Sequence, residues 1–511
     1  MDEAKAPPYD VIVIGAGNAA LAAAVSAREN GAEKVVVLEK APREMRGGNT
    51  HWSGGVLRFA YDDPREIGPL LPGVEEEFEN FYDGISPYTQ DDYHGDLMRV
   101  TSGRTDPVLS KLLVHNSFDT VKWMKKVGGI KMEPAITLSA VKKDNVMVWA
   151  RGLVVRAAHE GVGLSRSWFA TAERLGIEIR YESAATELVI DEQSGRVAGV
   201  KLRDDEGIKV LSAKAVVLGC GGFEANVQMR TQHIGPLVGA AKVRGTPHNQ
   251  GDGLRMAMNI GAMPWGQWSG CHATPISADW GDFAPRELTD RSNRLSYVYA
   301  VMINRKGLRF VDEGEDGALF TYAKFGRAIL AEPGAKAYQI FDSKVVHLLE
   351  PRYQTSDPIV SNTLEDLIDQ LDIDDKKQAL KTLREYNSHA RDADNGFDPT
   401  KKDGLSSKGL ALEKTNWALR IDKPPYYAYS ATGGITFTFG GLKVDENAQV
   451  IGTDWRPITG LFACGEMIGG LFYDNYPAGT GLVSGATFGR IAGRAAAKPK
   501  SNSRAIAGAA A

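Results

Sequence analysis

YDVIVIGAGNAALAAAVSARENGAEKVVVLEK, residues 9–40, is the stretch on which the fold turns. It opens with an unbroken apolar run, Val11 to Ile14, bounded by charge and glycine. Such a run predicts a strand buried on both faces, as in a parallel sheet. Gly15, Gly17 and Ala20 follow as G-x-G-x-x-A. The first glycine allows the tight turn, the second lets backbone approach a pyrophosphate, and Ala20 lets the next helix pack close to the strand. That helix is expected over Ala19 to Ala27, with Gly31 as its C-terminal stop. Its free N–H groups and partial positive charge suit a diphosphate. A second strand, Lys34 to Leu38, ends in Glu39, about 20 residues past the motif, where an acid binds ribose hydroxyls. Strand, glycine turn, helix, strand and acid in register make a dinucleotide-binding unit. The acid argues against NADP and leaves NAD and FAD open.

At 511 residues the chain is long enough for two or more domains. Hydrophobic content of 43% and charged content of 24% are those of a globular protein. A net charge of −4 gives no reason to expect nucleic acid or an anionic membrane as partner. Cys220, Cys271 and Cys464 are far apart and in no metal or redox spacing. They fit a reducing compartment. No run approaches a membrane span, and MDEAKAPPYD at the start has no apolar core, so no secretory signal is read and a cytoplasmic location is expected. Residues 499–511 are expected to be a disordered tail.

Past Glu39, Gly47-Gly48-Asn49-Thr50-His51-Trp52-Ser53-Gly54-Gly55 is suited to backbone wrapped around a ligand. Gly47 to Thr50 resembles the GGN(S/T) loop of the succinate dehydrogenase and fumarate reductase flavoprotein superfamily, where it lies along the diphosphate and flavin. The resemblance selects FAD over NAD. His51 does not match the offset of the histidine that carries FAD in some relatives, so non-covalent FAD is expected. Residues 64–96 read as an acidic, aromatic surface excursion, and Leu109 to Lys126 as a helix with Leu113, Phe118, Val121 and Trp123 in the core. Arg151, Arg156 and Arg166 precede or lie on a further helix ending near Leu175, and could meet an anion. Ile177 to Tyr181 and Thr186 to Ile190 read as strands, with a turn near Asp191 to Gly195.

AKAVVLGCGGF, ending at Phe223, resembles the ATGG segment of two-dinucleotide-binding flavoproteins. Gly251-Asp252-Gly253 resembles the superfamily's GDG, and GLFACGE, Gly460 to Glu466, its GLYAAGE. GTGLVSGATFGRIAG, from Gly479, has the small-residue spacing of a tightly packed helix whose N-terminus, in the superfamily, points at the flavin. Tyr297 to Phe310 reads as two strands about a turn at Arg305 to Gly307, Leu364 to Tyr386 as a helical stretch, and Leu442 to Val450 as a hairpin turning at Asp445 to Asn447.

The fold implied is α/β. A Rossmann-like FAD/NAD(P)-binding domain of glutathione-reductase type spans 8–264 and 427–498, with an inserted α+β capping domain of fumarate reductase type at 265–426. The resemblance implies that FAD is held by Gly15, Gly17, Asn18, Ala19, Ala20, Glu39, Lys40, Gly47, Gly48, Asn49, Thr50, Gly54, Gly55, Ala185, Gly219, Gly221, Gly222, Asp252, Gly465, Glu466, Gly481 and Leu482.

Within the superfamily the chain is similar to FAD-dependent tricarballylate dehydrogenases. The likeness rests on HNSFDTVKWMKK (His115 to Lys126), RFVDEG (Arg309 to Gly314), TYAKFG (Thr321 to Gly326), GITFTFGG (Gly434 to Gly441) and GGLFYDNYPAGTGL (Gly469 to Leu482). It implies oxidation of a carbon–carbon single bond beside a carboxylate, tricarballylate to cis-aconitate. Fumarate reductase's proton-delivering arginine, second substrate histidine and late substrate arginine align with Gly317, Phe437 and Tyr476, so fumarate is a poor expected substrate. His272 matches the superfamily's substrate-binding histidine. Together with Arg294 or Arg327 it is expected to hold carboxylates, and Tyr322 and Tyr476 are the candidate bases. Tyr476 also resembles the carbonyl-polarising tyrosine of 3-ketosteroid dehydrogenases. Two alternatives therefore stand beside the polycarboxylate dehydrogenase: an enone-forming dehydrogenase, and a non-catalytic flavin electron carrier. With no iron–sulfur or haem signature in the sequence, the electron acceptor is expected to be quinone, oxygen or a separate redox protein.

Overall fold

The structure, a computed structural model, describes residues 9–143 and 146–498. The amino-terminal eight residues and the expected tail at 499–511 lie outside the described residues. The opening apolar run forms β1 (Tyr9–Ile14), in which Val11, Ile12 and Val13 are fully buried. Burial on both faces follows from its place inside an 8-stranded sheet. β1 runs parallel to β2 (Val35–Leu38) on one side and to the strand Gly207–Leu218 on the other. Outside these lie Glu178–Arg180 and Pro457–Ala463, also parallel. The strand Gly207–Leu218 is longer than its apolar half. Its exposed first part pairs antiparallel with Val197–Asp204, which pairs in turn with Ala184–Ile190.

Between β1 and β2 runs α1 (Asn18–Glu29), buried from Ala20 to Ala27. Its outer face meets the C-terminal helix Thr480–Ala497. A Cβ on Gly489 would stand 2.4 Å from the Ala19 carbonyl oxygen, and one on Gly493 2.1 Å from that of Ala23. Glycine here serves close approach, because only a missing side chain lets the two backbones touch.

A second, 6-stranded sheet is built on the long strand Tyr426–Leu442. Pro264–Ser277 pairs with it antiparallel, placing His272 opposite Phe437. Ala337–Asp342 and Ile359–Ser361 pair with its first half, and Lys242–Val243 with its second. One strand thus leads from the interior of the second sheet to the edge of the nucleotide sheet. The helix Ala318–Leu330 packs on Pro264–Ser277, with Gly326 against the Ala273 backbone.

Three local expectations are corrected. Residues 64–96 are not a surface excursion: Ile67, Leu70, Phe81, Tyr88 and Tyr93 enter the main core, and the acidic residues face outward. In Tyr297 to Phe310 only Val301–Asn304 is a strand, because its partner is Ala337–Asp342 rather than its own continuation. Leu364 to Tyr386 is two helices, Leu364–Gln370 and Lys376–His389, the second capped by the Asp375 carboxylate accepting from the Gln378 N–H. The hairpin after Leu442 forms as expected, with the Ala448 N–H on the Asp445 carbonyl.

Gly493→Val should lower the urea midpoint by an amount equivalent to about 1–3 kcal/mol, the usual cost of overpacking. An unchanged midpoint would mean that the helices part without penalty.

Candidate active site

A long cleft of about 1540 Å³, counted out to its mouth, opens at the carboxyl ends of β1, β2 and the strand Gly207–Leu218. Of the residues expected to bind FAD, Gly15, Gly17, Asn18, Ala19, Glu39, Lys40, Gly48, Asn49, Thr50, Ala185, Gly219, Gly221, Asp252, Gly465, Glu466, Gly481 and Leu482 line it. The other five do not. Ala20 is fully buried where α1 crosses Gly219. Gly47, at φ 104°, turns the loop with Ser165 packed against it. Gly54 and Gly55 wall an adjoining chamber, and Gly222 is pressed against Glu466 and Thr438.

The cleft fits the cofactor along its length. At one end Glu39 accepts from the Ala16 and Ala41 N–H groups at 3.0 and 2.8 Å. Burial raises its carboxyl and these bonds oppose the rise. Lys40 is ion-paired with Asp252 beside it. In the middle, α1 begins at Gly17, which offers no capping side chain, and no acid occupies the first turn. A Cβ on Gly17 would meet only Thr50 Oγ1, at 3.5 Å, and the Gly47 oxygen at 3.9 Å, so a diphosphate can reach the backbone. The Thr50 hydroxyl accepts from the Asn18 N–H at 2.8 Å and ties the glycine loop to the helix start. At the far end the C-terminal helix also starts on glycine, Gly479, with no acid in its first turn.

A buried acid pair stands beside this cleft. Glu224 accepts from the Asn49 amide at 2.5 Å and also from the Asn249 amide. Glu466 accepts from the Thr438 N–H at 2.7 Å and its hydroxyl at 3.0 Å. Burial and the neighbouring Glu224 push the Glu466 carboxyl well above its ordinary value, so this member of the pair holds the proton. Glu466 is legible in its compact motif, whereas Glu224 is revealed only by partners 25 and 175 residues away in the chain.

Beyond the flavin end lies a second chamber of about 610 Å³, sharing Ser53, Arg244, Tyr476, Gly481 and Leu482 with the cleft. Tyr322 and Tyr476, from the helix Ala318–Leu330 and the turn before the C-terminal helix, are joined hydroxyl to hydroxyl here. His272 is fully buried behind them, its ring 4.8 Å from Tyr322 and 5.0 Å from Tyr476 and Phe437. Neither ring nitrogen has a hydrogen-bond partner among the described residues. Burial and Arg244 hold its pKa well down, so the imidazole is neutral.

Arg294 and Arg327 are not on this wall. The Arg294 guanidinium donates to the Asn293 and Arg352 carbonyls, both at 2.9 Å, and to Ser356 at 2.6 Å, inside the second-sheet region. Arg327 lies near Cys271 and is not among the residues lining the chamber. The cationic groups on the wall are Arg244 and Arg352. Arg352 is neutralised by Asp290 and Glu350. Arg244 donates Nη1 to the Trp52 carbonyl at 2.7 Å and Nε to Thr436 at 3.0 Å, which leaves Nη2 without a partner among the described residues. Neither arginine sits in a periodic or glycine-rich pattern, and only the meeting of distant segments gives them away.

A family model described as an FAD binding domain matches residues 10–482. The chain is 30% identical over 500 residues to the fumarate reductase (cytochrome) of Shewanella frigidimarina, covering 96% of this chain and 77% of that one. It is 27% identical to the 4-oxocyclohexanecarboxylate 2-dehydrogenase of Sinomonas cyclohexanicum, covering 95% and 92%. Among solved structures it is similar in fold to the 3-ketosteroid delta1-dehydrogenase of Sterolibacterium denitrificans, with TM-score 0.73, 21% identity and coverage of 96% and 100%.

A carboxyl raised by burial binds its proton more tightly folded than unfolded, so its contribution to stability falls as pH rises above the ordinary value of 4.5. Glu466→Gln, neutral at every pH, should therefore gain on the parent protein as pH is raised from about 5 to 8 in urea unfolding. A constant difference would mean that Glu466 is not the proton holder.

Proposed function

The chain belongs to the FAD-binding family of fumarate reductase and succinate dehydrogenase type, as an FAD-dependent oxidoreductase acting on carbon–carbon bonds, and from that premise we propose that it dehydrogenates a C–C bond beside a carboxylate in a small polycarboxylate. Tricarballylate to cis-aconitate is the first candidate, with FAD bound non-covalently and electrons passed to a separate acceptor. The observation that carries the reading is the Arg244 Nη2, without a partner among the described residues, on the same wall as the Tyr322–Tyr476 hydroxyl pair, where cleft and chamber meet.

Bound FAD supplies the two-electron acceptor for hydride from one substrate carbon. Arg244 holds a substrate carboxylate, and its two fixed donors to Trp52 and Thr436 aim the third nitrogen. For dehydrogenation Tyr476 first gives up its own phenol proton to solvent and then, as the phenolate, takes the proton from the neighbouring carbon; in the reverse direction the phenol returns it. Burial raises its phenol above the ordinary value, and four things work against the rise: a hydrogen bond donated by Tyr322, the charges of Arg244 and Arg58, and a backbone hydrogen bond from Gly479. Tyr322 is pushed up harder, by burial and by Tyr476 itself, and so keeps its proton. His272, uncharged, supports both phenol rings from behind.

A second reading has its own support. Phe437, Phe439 and Phe472 line the flavin end beside Tyr476, with rings 5.1–6.1 Å apart. Such a wall suits a flat ring, and an enone-forming dehydrogenation of a cyclic keto acid would use the same arginine and the same tyrosines.

Anaerobic mixing of the yellow protein with tricarballylate, succinate, citrate, a 3-ketosteroid and 4-oxocyclohexanecarboxylate separates the readings by bleaching of the oxidised flavin band. Bleaching by tricarballylate is expected, and bleaching by a ring ketone alone would replace the first reading with the second. With the active substrate, Tyr476→Phe should slow bleaching by about 10²-fold or more at saturation. Arg244→Gln should raise the half-saturating concentration by about tenfold or more. Full-rate bleaching in Tyr476→Phe would remove the phenol from the proton step.

A further inference from the structure

The face of the glycine loop turned away from the FAD cleft lines an open recess of about 850 Å³, bounded by Arg43, Arg46, Arg166 and Arg286. We propose that this recess is a second binding site, for a compact multivalent oxyanion. It goes beyond the proposed reaction and does not depend on it.

Four guanidinium groups drawn from three separate segments converge on one hollow: the turn before the loop, the helix Glu160–Arg174, and the turn Arg286–Leu288. Glu44 is the one carboxylate on the wall, which leaves a surplus of three positive charges. Internal compensation is slight. Arg43 and Arg46 reach Glu173 only at 3.9 Å, and Arg166 and Arg286 have no ion pair among the described residues. Two of the cations are held in place rather than swaying in solvent. Arg286 donates to the Arg46 and Met45 carbonyls at 2.8 and 3.4 Å and lies 5.1 Å over the Trp52 ring. Arg46 donates to the Tyr181 hydroxyl at 2.9 Å and lies 4.2 Å over Phe169. Fixed like charges around a concave wall repel one another, and a bound anion removes that cost. His51, on the same wall, is held neutral by burial and Arg286, its pKa lowered to about 4, and adds no charge.

Planar guanidinium forks match phosphate and carboxylate oxygens alike. The anion is therefore a phosphate ester or a polycarboxylate, and titration distinguishes the two. Calorimetric titration of the FAD-bound protein with pyrophosphate and, separately, with citrate should give saturable 1:1 binding for one or both. Binding by pyrophosphate alone assigns the phosphate source, and by citrate alone the polycarboxylate source. The double variant Arg43→Gln/Arg166→Gln removes two solvent-facing guanidinium groups that make no hydrogen bond to backbone. It should weaken binding by about tenfold for each group lost, with the flavin band unchanged as a check of folding. Arg244→Gln, on the substrate chamber, should leave it unaltered. No saturable heat with either anion, binding indifferent to the double variant, or binding lost in Arg244→Gln would each overturn the proposal.

Discussion

Gly485, Gly489 and Gly493 present no side chain to α1, and the C-terminal helix therefore lies directly on the backbone from Ala19 to Ala27. Such a contact loses little side-chain entropy and gains dispersion from atoms at close range. Its consequence is positional. A helix that can approach this closely brings its first turn beside the first turn of α1. The Asn18 amide then reaches the Leu482 carbonyl at 2.8 Å, and the Trp168 indole fixes the same amide from the other side at 2.8 Å. Two helices that start on glycine, after Gly17 and Gly479, bring their first turns to one cleft, the second through Gly481 and Leu482, and both offer partial positive charge to an anionic cofactor. The turn carrying Tyr476 is set by the same contact, because it leads straight into that helix.

Charge buried around the cleft is arranged by sign. Toward the loop and the nucleotide sheet the buried groups are acids, Glu39, Glu224 and Glu466, whose carboxyls burial raises. Toward the chamber stand the buried arginines Arg58, Arg244 and Arg352, the last neutralised by Asp290 and Glu350. Arg58, without any exposure, donates to the Ala478 carbonyl at 2.7 Å and to Tyr88 at 2.9 Å, clamping the turn that follows Tyr476. Arg244 closes the other side. In the proposed reaction a negative charge developing on a substrate carboxylate or on a phenol is favoured near Arg58 and Arg244.

Legibility in the sequence followed the range of the signal. Gly15 to Ala20 and Glu39 could be read because a turn, a helix start and a ribose contact are all encoded within one short unit, and Gly465 and Leu482 because each stands in a compact motif. Tyr297 to Phe310 misled because a strand's apolar pattern does not say which strand it pairs with; Val301–Asn304 found Ala337–Asp342 instead. Residues 64–96 misled because acids outnumber apolar residues there, although spaced aromatics such as Phe81 and Tyr88 are enough to anchor the segment. Arg244 and Arg294 show the limit most clearly. Both are arginines after a strand or turn, and nothing local separates them. One faces the chamber and the other carbonyl and hydroxyl partners, mainly because of segments more than a hundred, or about sixty, residues away.

In the proposed role the two members of the tyrosine pair are not equivalent. A lone buried phenol is a poor base, because burial penalises the phenolate. Two phenols sharing one hydrogen bond differ once an asymmetric field is applied. Tyr476 stands near both Arg244 and Arg58, whereas for Tyr322 the leading neighbouring charge is that of Tyr476 itself. Burial leaves both phenols raised, Tyr322 more than Tyr476, so in the proposed role Tyr476 is the member that gives up its proton and Tyr322 the one that donates to the oxygen left behind. A charged histidine at the position of His272 would add a third cation and would also need a partner that the surrounding rings cannot provide. Its neutrality keeps the aromatic cluster closed. In the proposed role Phe437, Phe472 and the rings around His272 give the site an apolar wall, and the proton exchanged with substrate passes through the phenol oxygen of Tyr476.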